Sequence, residues 1–173
     1  MKKWFMLAAV LCTSLVAVAE QPVVKPGVVG LDVEGNLVRN TVWWKYGKGV
    51  APVFKDGTAT FTSDNVKDAQ GLSTAVNLNQ TEAKAIVLSA ESKAENVSAP
   101  AGGNYSFYLD ITYDDGSRKF GVIAPFKVGT HDWEKAETKF TPDKPIKLIR
   151  AHLLFRYKTG TASFRNAFLA EAK

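Results

Sequence analysis

The sequence predicts an all-β fold, an antiparallel β-sandwich of two sheets with about ten strands. The prediction depends on two matched strand–turn–strand signals, over residues 105–126 and 146–169. In both, polar and apolar residues alternate, aromatic and β-branched types are frequent, and a glycine-containing turn separates two runs. The polar members fall on one face of each strand, so the layered sheet would present a polar and aromatic surface suited to a ligand.

The chain opens with a pattern typical of a secretory signal peptide, which we place at residues 1–19. Two lysines precede an apolar run, and Ala17-Val18-Ala19 fits the small-x-small rule for cleavage. The run is too short for a comfortable membrane span. The single cysteine, Cys12, follows Leu11, whereas a lipid anchor would want a small residue there. We therefore expect a secreted or periplasmic protein that is cleaved near Ala19 and carries no lipid anchor.

Composition predicts one domain, with residues 20–30 as an extended leader and residues 31–173 as the sandwich. The chain has 22 basic and 17 acidic residues, and two of the lysines belong to the signal segment. This surplus is too mild to indicate a nucleic-acid partner, and the lysines form no basic stripe with interleaved aromatics. No second hydrophobic span follows, so we expect no membrane partner, and we expect a monomer.

Candidate strands follow one another at the interval typical of a sandwich or barrel. Glycine-containing turns such as Asp56-Gly57 and Asp115-Gly116 separate them. The stretch 82–95 has some helix propensity, but it lacks an apolar stripe at helical spacing, so we predict a buried strand there. The predicted strands are residues 41–46, 50–54, 58–62, 72–78, 83–91, 104–113, 118–126, 134–140, 146–157 and 161–169.

Alternation assigns the faces of the two longest strands. In residues 105–113, one face carries Phe107, Leu109 and Ile111 and is predicted to be core, while Tyr108 and Asp110 lie on the other face. In residues 146–157, one face carries Leu153, Phe155 and Tyr157, and the other carries His152, Leu154 and Arg156.

Asp110 and Arg156 stand out because strand propensity disfavours charge in mid-strand. A carboxylate accepts hydrogen bonds from two hydroxyl groups, and a guanidinium donates in a planar fork, so the pair could hold a sugar. The alternative is a cross-strand ion pair or a solvated face.

Aromatic residues suggest the same ligand class, because a flat ring covers the C–H face of a sugar while its polar tip stays wet. Trp43 and Trp44 must point to opposite faces, and the pattern leaves open which of them is core. Trp133 follows a loop signal and is interpreted as a core anchor. The predicted carbohydrate-binding residues are Trp44, Tyr46, Tyr108, Asp110 and Arg156.

Catalytic and metal-binding patterns are not apparent in the sequence. His131 and His152 lack the context of a zinc site, and His152 is interpreted as a surface or satisfied histidine. Asp114 and Asp115 share a turn, where aspartate is favoured for turn geometry alone. A glycosidase requires two carboxylates that straddle a bond, and no clear pair occurs. We therefore predict a protein that is not an enzyme and has no metal ligands.

A series of short motifs runs in order along the chain: residues 44–49 (WKYGKG), 92–98 (SKAENVS), 105–110 (YSFYLD), 115–116 (DG), 124–133 (APFKVGTHDW), 142–146 (PDKPI), 153–156 (LLFR) and 159–161 (TGT). Together they resemble bacterial carbohydrate-binding modules of the galactose-binding-like jelly-roll type, which are found attached to secreted glycoside hydrolases. The resemblance covers roughly residues 30–170. It implies a two-sheet jelly roll that binds saccharide without catalysis.

Two positions depart from that family pattern. The family's structural calcium would be held partly by an acidic residue after the last-strand aromatic, but Phe164 is followed by Arg165-Asn166. A positive side chain repels a cation, so we predict no cofactor. Ala90-Glu91 stands where the family pattern has Gly-Trp, which implies that one sugar platform is lost.

The sequence therefore predicts a secreted, non-catalytic carbohydrate-binding protein that holds polysaccharide or glycan through an aromatic and polar strand face. The alternative from another class is a structural or adhesive cell-envelope β-sandwich that mediates protein–protein contact. Its sign would be a contiguous exposed apolar patch. A small hydrolase is the third and least favoured hypothesis.

Overall fold

A computed structural model describes residue 27 and residues 29–172 of the chain. The predicted signal segment and most of the leader lie outside the described residues. Ten strands and no helix are found in the described part, so it contains no helix long and apolar enough to cross a membrane. The strands are β1 Trp44–Lys48, β2 Val53–Lys55, β3 Thr58–Ser63, β4 Ala69–Asn77, β5 Ile86–Val97, β6 Tyr105–Tyr113, β7 Arg118–Pro125, β8 Gly129–Phe140, β9 Ile146–Arg156 and β10 Gly160–Glu171.

The strands form two five-stranded antiparallel sheets, which confirms the predicted all-β sandwich. The first sheet has the order β1-β4-β9-β6-β7, and the second has the order β2-β3-β10-β5-β8. Every predicted strand has a counterpart. The main difference in extent is that β5 and β8 are longer than predicted, because they continue to pair across register shifts near Ala94.

The two matched sequence signals have different outcomes. Strands β6 and β7 form the expected antiparallel neighbours in the first sheet. Strands β9 and β10 do not pair, because β9 lies in the first sheet and β10 lies in the second. The chain changes sheets through Tyr157, which has a positive φ of 55°, and Gly160, which has a φ of 104°. A Cβ on Gly160 would lie 2.5 Å from the Asn96 carbonyl oxygen, so only glycine fits where β10 begins.

The core lies between the sheets and is rich in aromatic side chains. Tyr105 is central, with its ring centroid 5.3 Å from that of Phe126, 6.0 Å from Phe155 and 5.8 Å from Phe164. Its hydroxyl group is hydrogen-bonded to the Ser92 hydroxyl, and burial raises the pKa of Tyr105 to about 12. Aromatic clusters of this kind bury large areas and fix the spacing of the two layers.

Trp43 lies just before β1 and Trp44 is its first residue, and their side chains point to opposite sides of the first sheet. Trp43 is fully buried and packs near Phe107, whereas Trp44 is 57 % exposed. The structure thus resolves the alternative that the sequence left open. Phe107, Leu109 and Ile111 are buried as predicted. Leu153 and Phe155 are also buried, whereas Tyr157, which alternation grouped with them, is exposed because it already lies in the sheet-changing loop.

Candidate functional site

The outward side chains of the first sheet form a continuous face, which we call the outer face of the first sheet. Strand register places Trp44 opposite Ser73, Ser73 opposite His152, and His152 opposite Tyr108. These residues therefore lie in one row across four strands, on the side away from the core. Other residues on the outer face of the first sheet include Tyr46, Lys48, Gly71, Asp110, Arg118, Phe120, Arg150, Leu154 and Arg156.

A small cavity of about 50 Å³ opens in this face, and we call it the His152 cavity. Four of the five predicted binding residues line it, together with two that were not predicted. The lining residues are Tyr46, Tyr108, Asp110, His152, Leu154 and Arg156. Trp44 is not in the lining, but it lies on the same face, at the edge strand. The structure therefore brings together residues from strands β1, β6 and β9.

His152 is the centre of the cavity. Its side chain is packed between two tyrosine rings, with centroid distances of 5.3 Å to Tyr46 and 5.9 Å to Tyr108. Only 7 % of the residue is exposed. Its Nε2 atom lies 3.5 Å from the Asp110 carboxylate, which is longer than a good hydrogen bond. The interpretation of His152 as a surface or satisfied histidine is therefore wrong, because Tyr46 and Tyr108 cover it and neither ring nitrogen has a hydrogen-bond partner among the described residues.

Burial determines the charge state of this histidine. It lowers the pKa of His152, because a buried imidazolium loses hydration; Asp110 opposes the effect, while Arg156 and Arg150 add to it. The neutral imidazole has one N–H donor and one nitrogen acceptor. His152 can thus donate one hydrogen bond and accept another at neutral pH.

Buried polar atoms without partners are concentrated here. Within the described residues six buried side-chain atoms have no hydrogen-bond partner, and four of them belong to cavity residues. These four are Asp110 Oδ1, His152 Nδ1, His152 Nε2 and Arg156 Nε. A buried donor or acceptor left unpaired costs about 1–3 kcal/mol, so a fold rarely gathers several of them in one place. Such a cluster is completed by a bound water molecule, an ion or a ligand.

Arg156 is held by aromatic side chains. Its Nη1 atom donates to the Tyr46 hydroxyl at 3.4 Å, and its guanidinium lies 5.7 Å from the centroid of the Tyr108 ring. In the strand register Asp110 is opposite Arg150, which is six residues away from Arg156 along β9. The alternative of a cross-strand Asp110–Arg156 ion pair is therefore wrong, since the described residues contain no such pair.

Tyr108 titrates under the influence of the same neighbours. Partial burial raises the pKa of its phenol, and the charge and hydrogen-bonding of Asp110 raise it further, while Arg156 acts in the opposite direction. The phenol is therefore protonated at neutral pH and keeps its hydrogen-bond donor.

Two glycines shape the face around the cavity. Gly71 lies between Tyr46 and Leu154 in the register, and a Cβ there would be 2.6 Å from the Leu153 carbonyl oxygen. Gly121 has a φ of 79° and forms a bulge opposite the Leu109–Asp110 step. Because of this bulge, Phe120 is directed outward next to Asp110 and is 62 % exposed.

A second, larger depression continues along the face from Asp110, and we call it the Arg150 groove. Its volume is about 220 Å³. Lining residues include Asp110, Thr112, Arg118, Phe120, Leu148 and Arg150. Sequence reasoning selected only Asp110 from this set. Alternation marks Arg150 as an outward neighbour of His152, but the contribution of Arg118 and Phe120 depends on the bulge at Gly121, which the pattern does not show.

The two departures from the family pattern meet on the second sheet. Arg165 Nε donates to Glu91 at 2.8 Å, and the Arg165 guanidinium lies 3.9 Å from the centroid of the Trp133 ring. Trp133 is partly exposed, so its interpretation as a core anchor is wrong. Because residue 91 belongs to the second sheet, a tryptophan there would add no platform to the outer face of the first sheet.

Metal-binding side chains are not gathered in the part of the chain that the structure describes. No three histidine, cysteine, aspartate or glutamate side chains come together there in a way that could hold an ion. Next to Phe164, the first aromatic of β10, Arg165 forms an ion pair with Glu91 at 2.8 Å.

Comparison with solved structures identifies the fold as that of carbohydrate-binding modules. A module described as CBM4 is 12 % identical, covers 84 % of this chain and 94 % of its own, and has a TM-score of 0.56. The second N-terminal cellulose-binding domain of Cellulomonas fimi β-1,4-glucanase C is 21 % identical over 83 % of this chain and 99 % of its own, with a TM-score of 0.51. The C-terminal family 22 module of Clostridium thermocellum Xyn10B is 12 % identical over 77 % of this chain and 82 % of its own, with a TM-score of 0.50. At these identities the likeness concerns the fold, and it confirms the resemblance seen in the sequence.

Sequence comparison finds partial relatives of another kind. Over 88 residues the chain is 35 % identical to the tRNA3(Ser)-specific nuclease WapA of Bacillus spizizenii and 34 % identical to the tRNA nuclease WapA of Bacillus subtilis. These matches cover 50 % of this chain but 4 % of each relative. No protein-family model matches the chain.

Proposed function

We propose that this protein is a secreted or periplasmic, non-catalytic saccharide-binding protein whose ligand lies on the outer face of the first sheet. The observation that carries the proposal is the cluster of buried polar atoms in the His152 cavity that have no hydrogen-bond partner among the described residues. A sugar offers hydroxyl groups that donate and accept at once. The cavity offers donors on Arg156 and His152 and acceptors on Asp110 and His152, which match such groups.

The size of the cavity determines how a saccharide would lie. A space of about 50 Å³ accommodates a hydroxyl group or a few water molecules at most, and it is too small for a sugar ring. The ring would lie above the cavity, against the exposed parts of Tyr46 and Tyr108, and would direct one hydroxyl group toward His152. Trp44, at the edge of the same row, would extend the contact to a neighbouring sugar unit.

The absence of catalysis in this proposal rests on the residues that line the two depressions. Asp110 is the single carboxylate in the linings of the His152 cavity and the Arg150 groove. Glycoside hydrolysis requires a pair of carboxylates on the two sides of the bond. The nuclease activity named for the Bacillus relatives belongs to proteins of which this chain spans about 4 %, so it gives no support for nuclease activity in this chain.

Affinity electrophoresis on a panel of polysaccharides tests the proposal. The wild-type protein should be retarded by at least one polysaccharide. In Tyr108→Ala we expect at least a tenfold loss of affinity, because the variant removes both the stacking surface and the cover of His152; such a loss corresponds to about 1.4 kcal/mol. The melting temperature should change little, since the Tyr108 ring lies outside the core.

The matched control is Trp133→Ala, which removes a partly exposed aromatic ring from the second sheet. It should leave the retardation unchanged. A folded wild-type protein that no polysaccharide retards, or a Tyr108→Ala variant that binds as well as the wild type, would contradict the proposal.

A further inference from the structure

The outer face of the first sheet carries an uncompensated positive charge. Four of its outward side chains are cationic: Lys48, Arg118, Arg150 and Arg156. Asp110 is the one carboxylate among the outward residues of its five strands. Within the described residues none of these four cations has a carboxylate at ion-pair distance, and Asp110 itself contacts His152.

Arginines elsewhere in the described chain are paired. Arg39 forms an ion pair with Asp32, and Arg165 forms one with Glu91. The three arginines without a carboxylate partner are all on the outer face of the first sheet. The difference is therefore a property of this face and does not reflect a general shortage of acidic residues, which number 17 in the chain.

The cations are placed at both ends of the His152 cavity. Lys48 and Arg156 share one register row through Ala69, and Arg150 and Arg118 line the groove beyond Asp110. Arg150 and Arg156 are six residues apart on β9, which separates their Cα atoms by roughly 20 Å in an extended strand. That separation suits a chain with repeated negative charges better than a single small anion. Both arginines also lower the pKa of His152, so their positive potential reaches the cavity.

We propose that the saccharide held on this face is an acidic polysaccharide, whose carboxylate or sulfate groups are bound by Arg150 and Arg156 on either side of the His152 cavity. The inference rests on the proposed saccharide-binding function and specifies its ligand class. A guanidinium donates two parallel hydrogen bonds to a carboxylate or sulfate, and these charge-assisted bonds are stronger than those to a neutral hydroxyl group. The neutral His152 imidazole and the Asp110 carboxylate then form hydrogen bonds with the hydroxyl groups of the sugar unit that lies between the two charged contacts.

The test compares polysaccharides that differ in charge. Affinity electrophoresis would use polygalacturonate and its fully methyl-esterified form, which share a backbone, and dextran sulfate with dextran. We expect retardation by polygalacturonate or dextran sulfate, at least tenfold weaker binding to the corresponding neutral polymer, and weakening when NaCl is raised from 50 mM to 500 mM. Binding to polygalacturonate would identify the anion as carboxylate, and binding to dextran sulfate would identify it as sulfate.

Charge variants locate the contact. Arg150→Gln and Arg156→Gln should each weaken binding to the charged polymer by about tenfold. Lys139→Gln removes the same charge from the second sheet and should leave binding within about twofold, since it is exposed on β8. Thermal unfolding checks that each variant is folded.

The outcomes separate the two proposals. Equal binding to the charged polymer and its neutral counterpart, or binding to neutral polysaccharides alone, would overturn the acidic ligand and leave saccharide binding intact. Equal losses in Arg150→Gln, Arg156→Gln and Lys139→Gln would show that net charge alone drives the retardation, which also overturns it. A folded protein that binds no polymer, charged or neutral, would overturn both.

Discussion

The two outer faces of this sandwich are built from the same alternation and treat their polar groups in opposite ways. The outer face of the second sheet pairs many of its polar groups internally, through hydroxyl pairs and ion pairs, four of them between neighbouring strands and one within β8. These contacts are Thr60–Ser163 at 2.9 Å, Thr62–Thr161 at 3.1 Å, Lys93–Asp132 at 3.1 Å, Lys135–Glu137 at 2.6 Å and Arg165–Glu91 at 2.8 Å.

On the outer face of the first sheet, polar groups lie close together without pairing. Among the residues that the structure describes, His152, Asp110 and Arg156 each have a buried atom without a hydrogen-bond partner, although all three line one cavity. Stability alone would favour the arrangement of the second sheet, because each unpaired buried group opposes folding. Within one fold, the face whose polar groups lack internal partners is therefore the face that a ligand can complete.

The largest effect we predict distinguishes the two sides of one strand. Phe107 and Tyr108 are neighbours on β6, but Phe107 is fully buried beside Trp43 and Tyr108 faces outward. Phe107→Ala should lower the free energy of unfolding by about 3–5 kcal/mol, because it leaves a cavity between the sheets. Chemical denaturation followed by tryptophan fluorescence measures this loss. If Phe107→Ala and Tyr108→Ala cost the same stability, the division between core and ligand face would be wrong.

Much of this division could be predicted from the sequence, because alternation is a local property. It identified all ten strands, and it placed His152, Leu154 and Arg156 on the face opposite Phe155. The change of sheet between β9 and β10 could not be predicted, since a short glycine-containing turn has the same local sequence whether or not the next strand pairs with the previous one. Strand pairing is a tertiary property that the turn does not encode.

Burial of His152 shows the same limit within the site. Its outward position follows from alternation, but its near-complete burial requires Tyr46, which comes from β1 at the far end of the first sheet. Gly71 on the intervening strand β4 has no side chain to stand between them. Four of the five predicted binding residues share the His152 cavity because strand pairing brings β1, β6 and β9 to one place, which no local pattern contains.

A smaller effect is expected in the pH dependence of stability. Because burial lowers the pKa of His152, the unfolded chain takes up a proton near the ordinary value of 6.5, before the folded protein does. Above that pH, His152 is neutral in both states and the free energy of unfolding keeps its full value. As the pH falls below it, the free energy of unfolding decreases by at most about 1.4 kcal/mol per pH unit. His152→Gln should lack this loss.

Urea denaturation of both proteins at pH 8 and pH 5 measures the effect. The wild type should lose more stability than His152→Gln between the two pH values. His131→Gln is the matched control for removing a histidine as such, since His131 is the other histidine of the chain and lies on β8 of the second sheet. Parallel stability curves for the wild type and His152→Gln would show that the folded protein protonates His152 as readily as the unfolded chain.

The smallest predicted effect concerns the second sheet, where the polar groups are paired. Partial burial alone would raise the pKa of Glu91, but hydrogen bonds from Arg165 and Asn166 and the charge of Arg165 hold it below its ordinary value. Both side chains of the pair remain about a third exposed, so solvent screens their attraction. A double-mutant cycle with Glu91→Gln and Arg165→Gln should give a coupling of about 0.5 kcal/mol, within the usual range for exposed pairs.

The same three variants also test whether the Glu91–Arg165 pair contributes to polysaccharide binding. They should bind polysaccharide as the wild type does, because Glu91 and Arg165 face away from the His152 cavity on the other sheet. Electrophoresis of the single and double variants alongside Arg156→Gln makes the comparison direct, since one guanidinium is removed from each face. Loss of binding in Arg165→Gln equal to that in Arg156→Gln, while Lys139→Gln binds as the wild type does, would mean that both outer faces contact the ligand and that internally paired polar groups can still belong to a binding surface in this fold.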